Sequence, residues 1–352
     1  LKALYRDARV LIMDEPTAVL VPQEVEALFE ALDKLVKQGL SVIFISHKLN
    51  EVMAISNRIT VLRDGKLAGT VDREDITEKE LAKMMVGRET FGIVRQTERA
   101  VGEPVLTVDD LRLIDERGLH RLNGISFELR KGEILGIAGV SGNGQAELIQ
   151  ILTGLKKPTG GSMVVNGCDL TGAFPLQITE AGMGRTPEDR HSGVVGEMTV
   201  AENLALENLK DYVKLGGLDR NSMRKHAEKL IEDYQIKATP DDRVRTLSGG
   251  NIQKLVMARS MSREPSCVLA AQPTRGLDVG ATEYVRSKLM EQKERGAGVL
   301  LISEDLDEIM MLSDRIAVIY EGTFMGIVPA SQASEELLGL MMSGSMPEEM
   351  II

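Results

Sequence analysis

Val10-Leu11-Ile12-Met13-Asp14-Glu15 ends an apolar run on two adjacent carboxylates. Such a run reads as a buried strand, and α/β proteins place ligands at the carboxyl ends of their strands. There one carboxylate can organise hydrated magnesium while its neighbour orients or deprotonates an attacking water. Ile45-Ser46-His47 closes the next apolar run with an imidazole able to touch a terminal phosphate. Gly139-Val140-Ser141-Gly142-Asn143-Gly144 lies between the run Ile134 to Ala138 and a helical pattern reaching Gly154. Glycines in that context let successive backbone N–H groups face one anion beside a helix N-terminus. The next positions are Gln145 and Ala146, so the lysine for the phosphates and the hydroxyl for magnesium are both missing. Leu247-Ser248-Gly249-Gly250-Asn251-Ile252-Gln253 opens a helical stretch through Ser262, with Ser248 as N-cap and two glycines that let the helix end sit against an anion. Singly, each has a plainer reading: solvated loop acids, a glycine-rich turn, a helix cap.

The elements that must carry these residues occur twice. Val10 to Val71 aligns without a gap on Cys267 to Val328, at a constant offset of 257. Roughly 19 of 62 positions are identical, where chance gives about one in fifteen. Pro16, Thr17, Gly39, Ile45, Ser46, Arg58 and Gly65 fall on Pro273, Thr274, Gly296, Ile302, Ser303, Arg315 and Gly322. So long a period implies duplication of a whole domain. Each copy runs from a short apolar segment through a helical stretch, about Gln23 to Gln38 or Gly280 to Arg295, to a second apolar segment. That alternation predicts a largely parallel sheet covered on both faces. Arg58 to Val71 and Arg315 to Val328 each read as two strands around a tight turn, at Asp64-Gly65 and Glu321-Gly322. Thr77 to Val86 reads as a capped helix stopped at Gly87. The second copy is complete in length, the first is present from its middle onward, and the chain starts at Leu1, which together suggest a piece of a longer protein. The expected organisation is 1–88 for the later part of a first domain, 89–103 for a linker, 104–343 for a second domain and 344–352 for a tail.

Composition narrows the possibilities. The chain has 352 residues, too many for one ordinary domain, and 43% of them are hydrophobic, enough for sizeable cores. A net charge of −11 argues against holding nucleic acid by bulk charge. Cys168 and Cys267 are its only cysteines, which excludes a disulfide framework and a multi-cysteine zinc site and suits a reducing cytosol. Both read as buried small residues, whereas His120, His191 and His226 lie in polar stretches and read as surface histidines. No window reaches the ~18 consecutive apolar residues of a membrane helix. Without Trp, and with 18 Met, the cores must be aliphatic and methionine-filled.

Taken together, the glycine loop, LSGGNIQ, LIMDEP and the strand-terminal histidine resemble the ATP-binding cassettes of ABC transporters, in the tandem-cassette branch that imports sugars and nucleosides. The likeness covers nearly the whole chain. It implies an α/β P-loop NTPase cassette fold, with a parallel sheet core, an antiparallel β subdomain and a helical subdomain, as one partial and one complete cassette. It implies ATP and Mg²⁺ as ligands, and two unequal sites, each shared between one cassette's phosphate loop and strand-end carboxylate and the other's LSGG motif. By that resemblance Asp14 orders the metal, Glu15 activates water and His47 contacts the γ-phosphate. Ser248, Gly249 and Gly250 complete that site, and Asp278 in Gly276-Leu277-Asp278 belongs to the loop through which the sites communicate.

The offset places Ala271, Gln272 and Glu304 where the first copy has Asp14, Glu15 and His47. Each lost charge-assisted hydrogen bond is worth about 1.5–3 kcal/mol, and a missing general base costs about 10²–10⁴ in rate. The second cassette's own site, built on Gly139, Gly142, Asn143, Gly144 and Gln145, is therefore expected to hold nucleotide at most. No aromatic residue lies between Phe91 and Phe127 to stack on adenine, and Val21 stands where Asp278 has its counterpart. The same offset puts counterparts of the Gly139 loop and of Ser248 before Leu1, so the chain alone is expected to hydrolyse ATP poorly.

The resemblance implies a peripheral place on the cytoplasmic face of the membrane, integral-membrane permease subunits as partners, an extracytoplasmic substrate-binding protein as an indirect one, and no nucleic acid. The permease contact maps to Gly184-Arg185-Thr186-Pro187-Glu188-Asp189-Arg190 through Glu207, with Glu188 where many cassettes carry a magnesium-sensing glutamine. The stretch from Ala270 to Ala281 looks closest to nucleoside importers, and much else is shared with ribose and galactose importers. The same motifs admit two alternatives: a soluble tandem-cassette ATPase acting on ribosomes or nucleic acid, and a non-catalytic regulatory nucleotide binder. The first would show a long charged interdomain helix or zinc cysteines.

Overall fold

Alternation of short apolar strands with amphipathic helices sets the architecture of both halves. A computed structural model describes residues 8–17, 20, 22–46, 48–63, 65–86, 101–214 and 217–345. Two compact units result, with the principal boundary between Gly92 and Ile93. In the first, β1 (Val10–Asp14), α1 (Pro22–Lys37), β2 (Ser41–Ile45) and α2 (Leu49–Ile55) precede a hairpin of β3 (Arg58–Arg63) and β4 (Lys66–Asp72) and then α3 (Glu78–Val86). Glu24 in the first turn of α1 and Lys34 and Lys37 in its last complement the helix dipole. Thr77 caps α3 reciprocally: its hydroxyl accepts the Glu80 amide while the Glu80 carboxylate accepts the Thr77 amide. Val52, Ile59, Val61, Ile76 and Leu81 make a small core beneath the hairpin.

The second unit begins with β5 (Pro104–Ile114), β6 (His120–Arg130), β7 (Ile134–Ala138), α4 (Gln145–Leu152), β8 (Gly160–Val165), β9 (Cys168–Asp169), α5 (Pro175–Glu180) and β10 (Met183–Thr186). A helical region follows: α6 (Val200–Ala205), the short strands β11 (Val213–Lys214) and β12 (Gly217–Leu218), α7 (Arg220–Asp233) and α8 (Gly249–Met261). Then come β13 (Cys267–Ala271), α9 (Val279–Glu294), β14 (Gly298–Ile302), α10 (Leu306–Leu312), β15 (Arg315–Tyr320), β16 (Thr323–Pro329) and α11 (Glu335–Met342). The main sheet runs β10-β13-β14-β7-β15-β16, parallel except for the β15–β16 hairpin. A second, antiparallel sheet runs β6-β5-β8-β9.

Side-chain alternation sorts the main sheet's residues. Leu135, Ile137, Leu269, Leu300 and Ile302 face the antiparallel sheet and α4, in one core with Leu106, Val108, Leu148 and Leu152. Their neighbours Ile134, Val268, Val299 and Leu301 are equally buried and outside that core, as expected of a sheet covered on both faces. Each such Leu or Ile contributes about 1.5–3 kcal/mol by leaving water, so the sheet is a rigid platform for whatever stands at its strand ends.

The repeat is carried into three dimensions element by element. The bounds of β1, α1, β2, α2, β3 and β4 return, 257 residues on, as those of β13, α9, β14, α10, β15 and β16. Even the register shift between Val61 and Leu62 recurs between Val318 and Ile319. The surroundings differ. Gly65 (φ +71°) has open space where a Cβ would stand, while a Cβ on Gly322 (φ +74°) would lie 2.3 Å from the Arg121 carbonyl oxygen. Gly65→Ala is therefore expected to cost about 1 kcal/mol for the left-handed backbone alone. Gly322→Ala adds the cost of displacing packed backbone, for about 2–4 kcal/mol in all. Urea titration of the two variants checks the ranking, and equal midpoints would contradict it.

Three expectations need correction. Burial on both faces holds for β13 and β14, whose ten residues are all buried, but not for β1 and β2. There burial alternates, and Val10, Ile12, Ile43 and Ile45 are about half exposed or more. The reason is neighbours: β13 lies between β10 and β14, and β14 between β13 and β7, whereas β1 and β2 pair only with each other among the described residues. Cys168 is exposed on the short strand β9, while Cys267 is buried and its thiol is pushed up to about 12 by desolvation. His226 is partly buried against the Tyr212 ring, its Nδ1 hydrogen-bonded to the phenol, and burial lowers its pKa. His120 and His191 are exposed. Residues 87–100 and 346–352 lie outside the described residues, and Gly102 and Glu103 already exchange backbone hydrogen bonds with Lys131.

Candidate nucleotide site

Parallel pairing of β1 with β2 brings Asp14 opposite Ile45, so the acid pair and Ser46 emerge at the same sheet edge. Asp14 and Glu15 are both exposed there. Glu15 bends the chain with φ +44° and donates its amide to the Ile45 carbonyl at 2.8 Å. A non-glycine residue in that region costs energy and persists where its surroundings over-determine it. His47 lies outside the described residues, as does Val21.

Beneath this edge is a residue the motifs did not single out. Glu51, on α2 and 5% exposed, accepts hydrogen bonds from Thr17 Oγ1 at 2.6 Å and Ser46 Oγ at 3.1 Å, and its other oxygen lies 3.3 Å from Lys48 Nζ. One buried carboxylate thus ties the turn after Glu15 to the end of β2. The signal was present in the repeat, because Thr17, Ser46 and Glu51 are identical to Thr274, Ser303 and Glu308.

In the second unit the same frame recurs with other residues at the positions of the acids. Glu308 is wholly buried; burial raises its pKa, the nearby Asp305 adds to the rise, and Arg286 Nε at 3.3 Å opposes it. Gln272 repeats the bend of Glu15 with φ +45°, donates its amide to the Ile302 carbonyl at 2.7 Å and accepts the Glu304 amide on Oε1 at 3.2 Å. Ala271, at the position of Asp14, is a buried methyl. Ala271 and, after the loop, Ala146 carry no side-chain oxygen, so the side-chain oxygens left at this edge include those of Gln272 and Glu304. The Asp14 edge fits better: magnesium is commonly held by one or two carboxylates together with substrate phosphates.

The glycine loop lies between the central strand β7 and α4, with Gly142 and Gly144 in the left-handed region. Asn143 pins it to the β15–β16 turn: its side-chain oxygen accepts the Glu321 amide at 3.0 Å, and its carbonyl accepts the Gly322 amide at 2.9 Å. Gln145 folds back into the loop, donating Nε2 to the Val140 carbonyl at 3.0 Å and leaving a buried Oε1 without a partner among the described residues. A neutral amide thus occupies the interior of the loop.

Ser248 stands at the N-cap of α8 but does not cap it with its side chain; Oγ instead accepts Asn251 Nδ2 at 2.9 Å. Gly249 and Gly250 form the first turn. Asp278 accepts the Ala281 amide at 2.8 Å, capping α9. In the segment after β10, Glu188 pairs with Arg275 at 3.2 Å, and Arg190 donates to the carbonyls of Arg275 and Gly276 at 2.7 and 3.3 Å. That segment lines a cleft of about 910 Å³ whose walls include Arg185, Thr186, Arg259 and Leu155. Among the described residues no helix is long and apolar enough to cross a membrane.

Residues 122–275 match the family model described as ABC transporter. The nucleoside import ATP-binding protein NupA of Lactococcus lactis is 45% identical over 351 residues, 98% of this chain and 69% of that protein. The chain belongs to the ABC transporter ATP-binding proteins of the sugar and nucleoside import type. The glucose import ATP-binding protein TsgD13 of Haloferax volcanii is 46% identical over 98% of this chain and 64% of its own length. The guanosine import ATP-binding protein NupO of Bacillus subtilis is 46% identical over 99% and 69%. The chain therefore spans about two thirds of the length of these curated relatives. Among solved structures, a nucleotide-free ATP-binding cassette from an ABC transporter superposes with a TM-score of 0.56 at 23% identity, covering 68% of this chain and 95% of that one. At that identity the likeness speaks for the cassette fold alone.

Proposed function

We propose that this ABC protein is the ATP-hydrolysing subunit of an importer, driving uptake of a nucleoside or simple sugar through separate permease subunits at the cytoplasmic face of the membrane. One competent site is built on the first unit's carboxylates and completed on assembly by the LSGG end of α8; a degenerate site lies at the second unit's glycine loop. The observation that carries this reading is the duplicated strand-end frame, which keeps its bend and buried glutamate in both copies and its acids only in the first.

Asp14 would hold the hydrated magnesium ion, which supplies charge neutralisation on the phosphates. Glu15, carried forward by its left-handed bend, orients the attacking water and accepts its proton. His47 contacts the terminal phosphate. Ser248 and the first-turn amides of α8 bring a helix N-terminus to the same phosphate, where positive potential favours it. The second unit's own loop retains nucleotide through the Gly142 and Gly144 region and does not turn it over, since Gln145, Ala271 and Gln272 supply neither cation nor base. As a non-hydrolysed wedge, nucleotide there keeps two cassettes associated while the other site cycles. Asp278, at the head of α9, reports one site's state to the other in this reading.

The cleft between Leu155, Arg185 and Arg259 is the permease-docking surface in this reading, and Phe174 and Leu176, 67% and 61% exposed, extend the apolar surface this unit presents. An extracytoplasmic binding protein would deliver substrate to the permease from the far side. The test is purification of the chain from membranes with its hydrophobic partners, reconstitution in vesicles, and ATP-driven uptake of guanosine, ribose and glucose in parallel. Uptake of one class, lost when ATP is withheld, is the expected result. Recovery of the chain on ribosomes, with no membrane subunit and no uptake, defeats the proposal.

A further inference from the structure

We propose that Arg190 is a positioning residue that locks the segment after β10 onto the LSGG end of α8 and onto the turn leading to Asp278. This deepens the preceding section and rests on its reading of LSGG as the nucleotide-facing end.

Arg190 makes two directed bonds, from Nη1 to the Arg275 carbonyl at 2.7 Å and from Nη2 to the Gly276 carbonyl at 3.3 Å. A reciprocal link comes back from the other side, Arg275 Nη1 to Glu188 Oε1 at 3.2 Å. Residues 188–190 and 275–276 thus grip one another through two side chains pointing in opposite directions. The guanidinium also lies flat against the first glycine of the motif: a Cβ on Gly249 would stand 2.8 Å from Nε, 2.9 Å from Nη2 and 3.1 Å from Cζ. Any side chain at 249 would expel the Arg190 head group, so the glycine serves the clasp as well as the anion.

Stability alone is a poor explanation of this arrangement. A cation beside the N-terminus of the 13-residue helix α8 faces the positive end of its dipole. Arg190 Nε is in addition a buried donor without an acceptor among the described residues, which costs rather than stabilises. A side chain held against two unfavourable terms by two carbonyls is placed there for its geometry. The geometry joins three things: the wall of the 910 Å³ cleft, the start of α8 and the turn two residues before Asp278. Displacement of residues 188–190 at the cleft is transmitted by one rigid fork to both of the others.

Hydrogen exchange on the purified chain tests this without substrate or partner. The reporter amides are Asn251 and Ile252, both bonded to the Ser248 carbonyl, and Arg275 and Leu277, bonded to Gln272 and Thr274. Arg190→Ala is expected to speed their exchange about tenfold, with the strand amides of β7, β13 and β14 unchanged. Arg190→Lys, which keeps a cation and a donor, recovers part of the protection. Gly249→Ala reproduces the Arg190→Ala footprint, and the double variant adds nothing further. In the assembled transporter, kcat falls about tenfold at unchanged KM for ATP. Unchanged exchange at the four amides overturns the proposal, as does loss of protection spread across the core strands together with a lowered Tm. A transporter that hydrolyses no ATP would instead discredit the functional reading and leave the exchange result standing.

Discussion

ATP turnover by the assembled transporter is expected to fall by about 10²–10⁴ when Glu15 is replaced by Gln, the span associated with loss of a general base. Glu15→Gln keeps the size and the backbone donor that bonds Ile45, so the φ +44° bend and the position of Asp14 are preserved. Nucleotide binding should persist, separating loss of chemistry from loss of affinity. The opposite change in the other copy is equally informative: Gln272→Glu alone should restore nothing, because Ala271, Gln145 and Ala146 still provide neither metal ligand nor cation. Phosphate release under single-turnover conditions, alongside a nucleotide-binding isotherm, measures both. Near-normal turnover in Glu15→Gln would remove the first unit's acid pair from the reaction.

The second large effect concerns Glu51. Glu51→Ala removes the acceptor of the Thr17 and Ser46 hydroxyls and the partner of Lys48, leaving the buried Thr17 hydroxyl without its acceptor and the Ser46 hydroxyl with the Lys48 amide that it accepts. The expected cost is about 3–5 kcal/mol in the first unit. Turnover should fall further than the folded fraction does, since the lost carboxylate holds the turn after Glu15 to the strand end before His47. Glu308→Ala is the control. It removes the equivalent carboxylate from a frame without catalytic acids, so it should destabilise the second unit while leaving kcat per folded molecule nearly unchanged. Urea titration with turnover normalised to folded protein distinguishes the two, and an unchanged kcat per folded molecule in Glu51→Ala would show that Glu51 acts only on stability.

Much of this was legible in the residues. The constant offset of 257 predicted paired elements, and the pairs agree to the residue, because both copies use the same glycine stops and the same short apolar runs. The glycine loop, the acid pair and Ser248 read as a strand–helix junction, a strand end and a helix start, and each stands there in the structure. Burial was less legible, since an apolar run does not reveal how many strands flank it; β1 and β13 have similar composition and opposite exposure. Buried polar links were missed for a related reason. Glu51 and Arg190 carry no motif signature, and their importance lies in hydrogen bonds to residues 34 and 85 positions away in the chain. Ser248 stands at the helix start that its residue type predicts, and its hydroxyl engages Asn251 instead of capping the helix.

The shared left-handed conformation of Glu15 and Gln272 bears on how such a pair of lobes diverges. Both lobes keep the same strained backbone, whether the residue at its crest is a carboxylate or a neutral amide. The difference between the lobes at this point lies at side-chain tips, and the main-chain path is common to both. Exchanging the groups at those tips would therefore alter the chemistry of either lobe and call for no rebuilt architecture.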